Sequence, residues 1–112
     1  MNRAERGRDG EDAAAALLEA HGYRIVARNV RLPRGEIDII ARDGNVVVFV
    51  EVKARASSSY GTAATAVDAR KRATLRAIAG DWLQIAAPQA RARFDVVTID
   101  RGRARLHRGA FA

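Results

Sequence analysis

The sequence contains no cysteine, which excludes disulfides, cysteine nucleophiles and cysteine-based zinc sites. No apolar run approaches the roughly 20 residues that a helix needs to cross a bilayer. The N-terminal stretch MNRAERGRDGED is polar throughout and lacks the apolar segment of a secretory signal, so a cytoplasmic protein is expected. Aromatic residues are few: three Phe, two Tyr and one Trp, without an aromatic run. Recognition of single strands by base stacking therefore has little support. Lysine is scarcer still. Of 20 basic residues only Lys53 and Lys71 are Lys, and the rest are Arg. A Lys retained in such a chain suggests a place where a compact ammonium with an adjustable pKa differs from a planar fork.

What is present describes a single globular domain spanning residues 1–112. At 112 residues, with 48% hydrophobic and 29% charged residues, the chain is long enough for one modest core and too short for two. The net charge is +7, and a basic protein gains counterion-release free energy on a polyanion. A genome that writes Arg often would produce the same excess. The distribution separates the two readings. Residues 1–52 carry 8 basic and 9 acidic side chains, whereas residues 53–112 carry 12 and 4.

Local patterning gives the order of elements. A helix is expected from Asp9 to His21, with Asp9 as N-cap and Gly22 as its stop. Tyr23–Val30 alternates as a first strand, and Leu32–Gly35 has loop chemistry. Glu36–Arg42 and Asn45–Arg55 form a hairpin across Asp43-Gly44. Within it, VVVFV is apolar on both faces, as a central strand requires. Residues 56–61 are a polar loop. Residues 63–86 turn helical, with Val67, Leu75, Ile78, Trp82 and Ile85 on one stripe and Gly80 as a potential break. Two further strands follow, Phe94–Asp100 and Arg103–Phe111, around Arg101-Gly102. The fold class is α/β, a mixed sheet flanked by helices in the order α-β-β-β-α-β-β.

The chemistry lies in the first hairpin. A two-residue turn at Asp43-Gly44 pairs Asp38 with Phe49 and Glu36 with Glu51, so Glu36, Asp38, Glu51 and Lys53 emerge on one face. Asp38 and Glu51 become diagonal neighbours, roughly 7–8 Å apart at the backbone. A loop of odd length would instead send Asp38 to the opposite face. Carboxylates and an ammonium on a half-buried face must be paired or bind a metal. All-oxygen ligands without His or Cys suit Mg²⁺ or Mn²⁺. Asp38 and Glu51 would hold the ion, and Lys53 would orient a water or offset charge on a phosphate. A salt-bridged strand edge is the ordinary alternative, and the apolar surroundings argue against it.

Together these residues resemble a known family. GEIDIIA followed by FVEVKAR is similar to the Asp, then Glu-x-Lys signature of the restriction-endonuclease-like superfamily. The ordered set is wider: G-x-x-G-E-x-x-A at Gly7–Ala14, HGYRIVARNVR at His21–Arg31, YG at Tyr60, Lys71, RFDVV from Arg93 and the C-terminal AF. It resembles the YraN-like family of predicted endonucleases, itself similar to archaeal Holliday-junction resolvases. The resemblance implies a restriction-endonuclease-like fold and a Mg²⁺- or Mn²⁺-dependent nuclease, with Asp38, Glu51 and Lys53 as the core triad and Glu11 as a further acidic ligand. Ile37 stands where the superfamily often has Pro, which bears on strand geometry more than on the metal. Glu36 matches the family's motif without an assigned role.

Simpler readings stand beside several of these residues. Glu11 in a first helical turn also complements the helix dipole. Lys71 falls within the apolar stripe, where it would snorkel to the rim or reach a phosphate. Arg70, Arg72 and Arg76 flank that stripe and, with Lys71 and Arg55, form the expected backbone-binding patch for nucleic acid, DNA being favoured. Such a run is also an ordinary solvated face. His21 and His107 have no metal-ligand spacing and are expected to be structural. The leading expectation is a nuclease acting on structured nucleic acid, with branched DNA as one candidate, for which a homodimer would match a two-fold substrate. The alternative is a non-catalytic nucleic-acid-binding or adaptor protein that keeps the fold. A basic RNA-associated structural protein is the third reading.

Overall fold

The computed structural model describes residues 3–55 and 67–112. The chain runs α1 (Arg3–Ala20), β1 (Arg24–Leu32), β2 (Gly35–Asp43), β3 (Val46–Arg55), α2 (Ala69–Ala86), β4 (Arg91–Asp100) and β5 (Arg103–Phe111). The order of elements is the one the patterning implies. The polar stretch 56–61, Tyr60 within it, and the first residues of the expected second helix lie outside the described residues.

The five strands form one sheet in the order β1-β2-β3-β4-β5. All neighbours are antiparallel except β3 and β4, which run parallel. A parallel pair needs a crossover, and α2 lies in that connection. Strand β3 is central, so its apolar run faces a helix on each side. Val48 and Val50 join Ala14, Leu18 and Tyr23 under α1, while Val47 and Phe49 join Leu75, Ile78 and Ala79 under α2. The result is a mixed sheet between two helices, consistent with a restriction-endonuclease-like fold.

Sequence signals account for most element boundaries. Helix α1 closes on a Schellman pattern, with the Gly22 N–H donating to the Glu19 carbonyl and the Tyr23 N–H to that of Leu18. Asp68 caps α2 and accepts from the Lys71 N–H at 2.8 Å. The turn at Arg101-Gly102 has positive φ at both positions, the type I′ geometry of a tight hairpin.

Four expectations are corrected. Helix α1 starts at Arg3, leaving Asp9 inside it, because RAERGR consists mostly of good helix formers that override a local cap signal. The first hairpin turns on Gly44-Asn45, with Asp43 opposite Val46. Gly44 takes the first central position at φ 60, where a type II′ turn requires glycine. Helix α2 passes through Gly80 without a break. Ile85, expected on the packed stripe, is 83% exposed. Periodicity fixes the angle of a side chain about its helix but not how far the neighbouring sheet extends beneath it.

Two further features hold the site elements in place. Gly35 (φ 149) opens β2 against α2, and a Cβ built there would lie 2.7 Å from Ile78 Cδ1. On the α1 side, fully buried Asp95 accepts from Tyr23 Oη at 2.8 Å, Arg93 Nε at 3.0 Å and the Gly109 N–H at 2.9 Å. Arg93 also donates to Asp43 at 2.8 Å. These bonds join the exit of α1 and the ends of β2, β4 and β5. Among the described residues, no helix is long and apolar enough to cross a membrane.

Candidate functional site

The site forms where the sheet opens. The β2–β3 ladder runs from Asp43–Val46 to Ile39–Val50, and Asp38 and Glu51 are the next residues on each strand. There Asp38 Oδ2 accepts from the Val52 N–H at 2.9 Å. A carboxylate thus takes a backbone donor that would otherwise need a partner in the ladder. This bond fixes the Asp38 carboxylate against β3.

The turn lies one residue further along, so the pairing shifts by two and sets Asp38 opposite Glu51. The expected shared face holds only in part: Ile39 packs under α1 while Ile37 and Ile40 both pack under α2, so alternation breaks at Asp38 and Glu36 is turned toward α1 and Glu11, away from Glu51 and Lys53. Val50 and Val52 pack on the α1 side, which directs Glu51 and Lys53 toward α2. Asp38 and Glu51 are closer than diagonal neighbours, and the two side chains share a hydrogen bond.

Glu51 is the most perturbed acid in the site. Its side chain is 12% exposed, and its pKa is pushed up to about 8, first by burial and then by the adjacent Asp38 carboxylate. Lys71 and Lys53 pull in the opposite direction, with Lys71 Nζ 3.7 Å from Glu51 Oε2. Both lysines line one open cavity of about 260 Å³, together with Glu51, Val52, Val67 and Asp68. In a chain whose other 18 basic residues are Arg, both Lys side chains lie beside one largely buried carboxyl.

Glu11 approaches from α1. Its pKa is raised, first by burial and then by Asp38, with Arg28 opposing and Glu36 reinforcing the shift. Its Oε1 is buried without a hydrogen-bond partner. Asp38 therefore lies within electrostatic reach of a carboxyl on each side of the sheet. The three do not close into a cage: among the described residues, no group of three or more His, Asp or Glu is placed to hold a metal ion. Asp38 and Glu51 are the residues available to share a cation. A hard divalent ion that keeps several waters needs only one or two carboxylates, so this pair fits Mg²⁺ or Mn²⁺, and the orphaned Glu11 oxygen is a nearby acceptor.

The other expected residues divide. Glu36 is held by Arg31 at 3.3 Å. Arg70 is exposed on α2. Arg72 donates to the Val67 carbonyl at 2.8 Å and lies over the Phe111 ring. Arg76 donates to the Ala112 carbonyl at 3.0 Å. Two members of the α2 basic run thus fasten the helix to the C-terminal strand. The side chain of Arg55 lies outside the described ones. His21 Nδ1 bonds the Leu17 carbonyl, and His107 Nε2 lies 2.9 Å from Thr98 Oγ1.

Two residues at the site were not singled out by sequence reasoning. Asn29 lies across from Asp38 on β1, adopts φ 53 and bonds Glu11 through its side chain. An Asn inside a strand pattern is a weak sign of such a distortion. Asp68 lines the cavity while capping α2, and a cap signal does not say what the helix end faces.

Comparison with known proteins gives the family. The model of an uncharacterised protein family, UPF0102, matches residues 10–99. A UPF0102 protein of Moorella thermoacetica is 50% identical over 100 residues, covering 88% of this chain and 83% of the relative. One from Symbiobacterium thermophilum is 49% identical over 111 residues, covering 94% of each. A third, from Halorhodospira halophila, is 47% identical over 107 residues, covering 96% and 87%.

Proposed function

The chain belongs to the UPF0102 family, the YraN family of the restriction-endonuclease-like superfamily, and from that membership and its cavity we propose that it is a metal-dependent nuclease cleaving phosphodiesters in structured nucleic acid. The observation that carries this reading is the convergence of Asp38, Glu51, Lys53 and Lys71 on the opening of the β2–β3 ladder. Paired buried carboxylates are costly unless a cation joins them.

Asp38 and Glu51 would hold Mg²⁺ or Mn²⁺, which when bound supplies Lewis acidity toward a phosphodiester. The remaining work falls to the chain's own groups. Asp38 is fixed by the Val52 N–H, which holds its carboxylate in one orientation beside Glu51. Lys53 donates to a phosphoryl oxygen and offsets the charge that develops on it. Lys71, 3.7 Å from Glu51 and about half exposed, can swing from the carboxyl to an incoming phosphate without leaving the cavity.

The test incubates purified protein with branched, nicked and linear DNA and RNA in Mg²⁺, Mn²⁺ or EDTA. Cleavage that requires the divalent ion and is lost in Asp38→Asn supports the reading; inert substrates under every condition overturn it. A non-catalytic nucleic-acid-binding or adaptor protein is the second reading, favoured by the failure of Glu11 to close on the pair. Binding without turnover is its signature.

A further inference from the structure

The expected nucleic-acid patch on α2 is half committed to the C-terminal strand, yet the sheet offers another on the same side of the cavity. Residues 101–112 contain four Arg and no Asp or Glu. Alternation along β5 divides them by face. Ala104 and Leu106 pack with the α1 core, so Arg103, Arg105 and His107 point to the opposite face, the one that carries α2. The bond between His107 and Thr98 confirms the assignment.

Register ties this strip to the cavity. Lys53 on β3 pairs with Thr98 on β4, and Thr98 pairs with Arg105 on β5. Two inter-strand steps place Arg105 roughly 10 Å from Lys53, close to the rise of three nucleotides of one strand of a duplex at ~3.4 Å each. Lys53, Arg103 and Arg105 are all exposed. Among the described residues, Arg103 and Arg105 form no ion pair. Between the cations Thr98 is buried, with its hydroxyl bonded to His107.

We propose that the row Lys53, Thr98, Arg105, with His107 and Arg103 beside it, is a phosphate-backbone track that carries nucleic acid from the cavity across β4 to the β5 edge. It deepens and rests on the reading of the cavity as a phosphodiester site. The track assigns the neighbouring phosphates of the bound strand to β5, where each arginine contacts the backbone without reading sequence.

Binding is measured by fluorescence anisotropy on labelled branched and linear duplexes across a KCl series, in Ca²⁺ and in EDTA so that turnover does not enter. Arg103→Ala/Arg105→Ala is expected to lose tenfold or more in affinity and to flatten the log–log salt dependence by about 2, near 0.9 per phosphate contact. Arg103→Lys/Arg105→Lys should recover most of the loss. Arg91→Ala, at the other end of β4 and on its other face, should bind as the wild type does. An edge strand charged only to prevent self-pairing would leave affinity and salt slope unchanged in the double variant, and that result overturns the track. A wild type that binds no nucleic acid overturns both the track and the nuclease reading. Loss of binding in the double variant, with no cleavage by wild type in any metal, sustains the track and overturns the nuclease reading alone.

Discussion

Individual residues show where stability is spent for the site. Glu51 is protonated more readily in the folded chain than in the unfolded one, because burial and Asp38 both oppose its charge. A raised carboxyl pKa means that the folded state holds the extra proton. Its cost is absent below the unfolded value of 4.5 and grows as pH rises toward about 8. In metal-free buffer, Glu51→Gln should therefore melt higher than wild type at pH 8, by about 1–3 kcal/mol, the usual cost of a poorly satisfied buried polar group. The difference should shrink toward pH 4.5, and equal melting of the two proteins at pH 8 would contradict the assignment. Asp95 makes the opposite case. Fully buried and accepting hydrogen bonds from three residues, it should be a structural anchor. Asp95→Ala leaves the Tyr23 hydroxyl and the Gly109 N–H without their acceptor and Arg93 with Asp43 as its remaining carboxylate, and should destabilise by about 2–5 kcal/mol in chemical denaturation, at about 1–3 kcal/mol for each orphaned donor.

Elements carry the geometry that single residues cannot. The residues shared by β2 and β3 were legible as a hairpin because Asp43-Gly44-Asn45 admits few turns, and a slip of one turn position moved the register by two. Asp38 and Glu51 thus meet across the two strands despite an inexact pairing, whereas Glu36, expected beside them, faces α1. The opening of the ladder at Asp38, its bond to the Val52 N–H and the resulting burial of Glu51 were not legible. They depend on β1, through Asn29, and on both helices. Likewise, the run of charges on α2 was plain in the sequence, while the engagement of Arg72 and Arg76 by the C-terminal strand required the tertiary fold. The approach of β2 to α2 rests on Gly35. Gly35→Ala adds a Cβ 2.7 Å from Ile78 Cδ1 at φ 149 and should destabilise by about 1–3 kcal/mol. Because the strand begins three residues before Asp38, activity should fall further than stability alone accounts for. A denaturation midpoint unchanged from wild type would contradict the close approach.

At the scale of the molecule, one layer arrangement explains why an acidic N-terminal half and a basic C-terminal half occupy one small domain. The parallel β3–β4 pair carries the acids of the first hairpin to the side of the cations of α2, β4 and β5. The mixed sheet and element order could be derived from patterning, since each local signal pointed the same way. The joining of Lys71 to Glu51 could be suspected only from the rarity of Lys. The central claim is that Asp38, Glu51 and Lys53 act together on a phosphodiester. It is tested most directly by comparing wild type with Lys53→Ala for Mg²⁺-dependent cleavage of a branched DNA, with binding followed in parallel. Cleavage reduced by about 10²-fold or more with affinity nearly retained is the predicted result, and a variant that cleaves at the wild-type rate would contradict it.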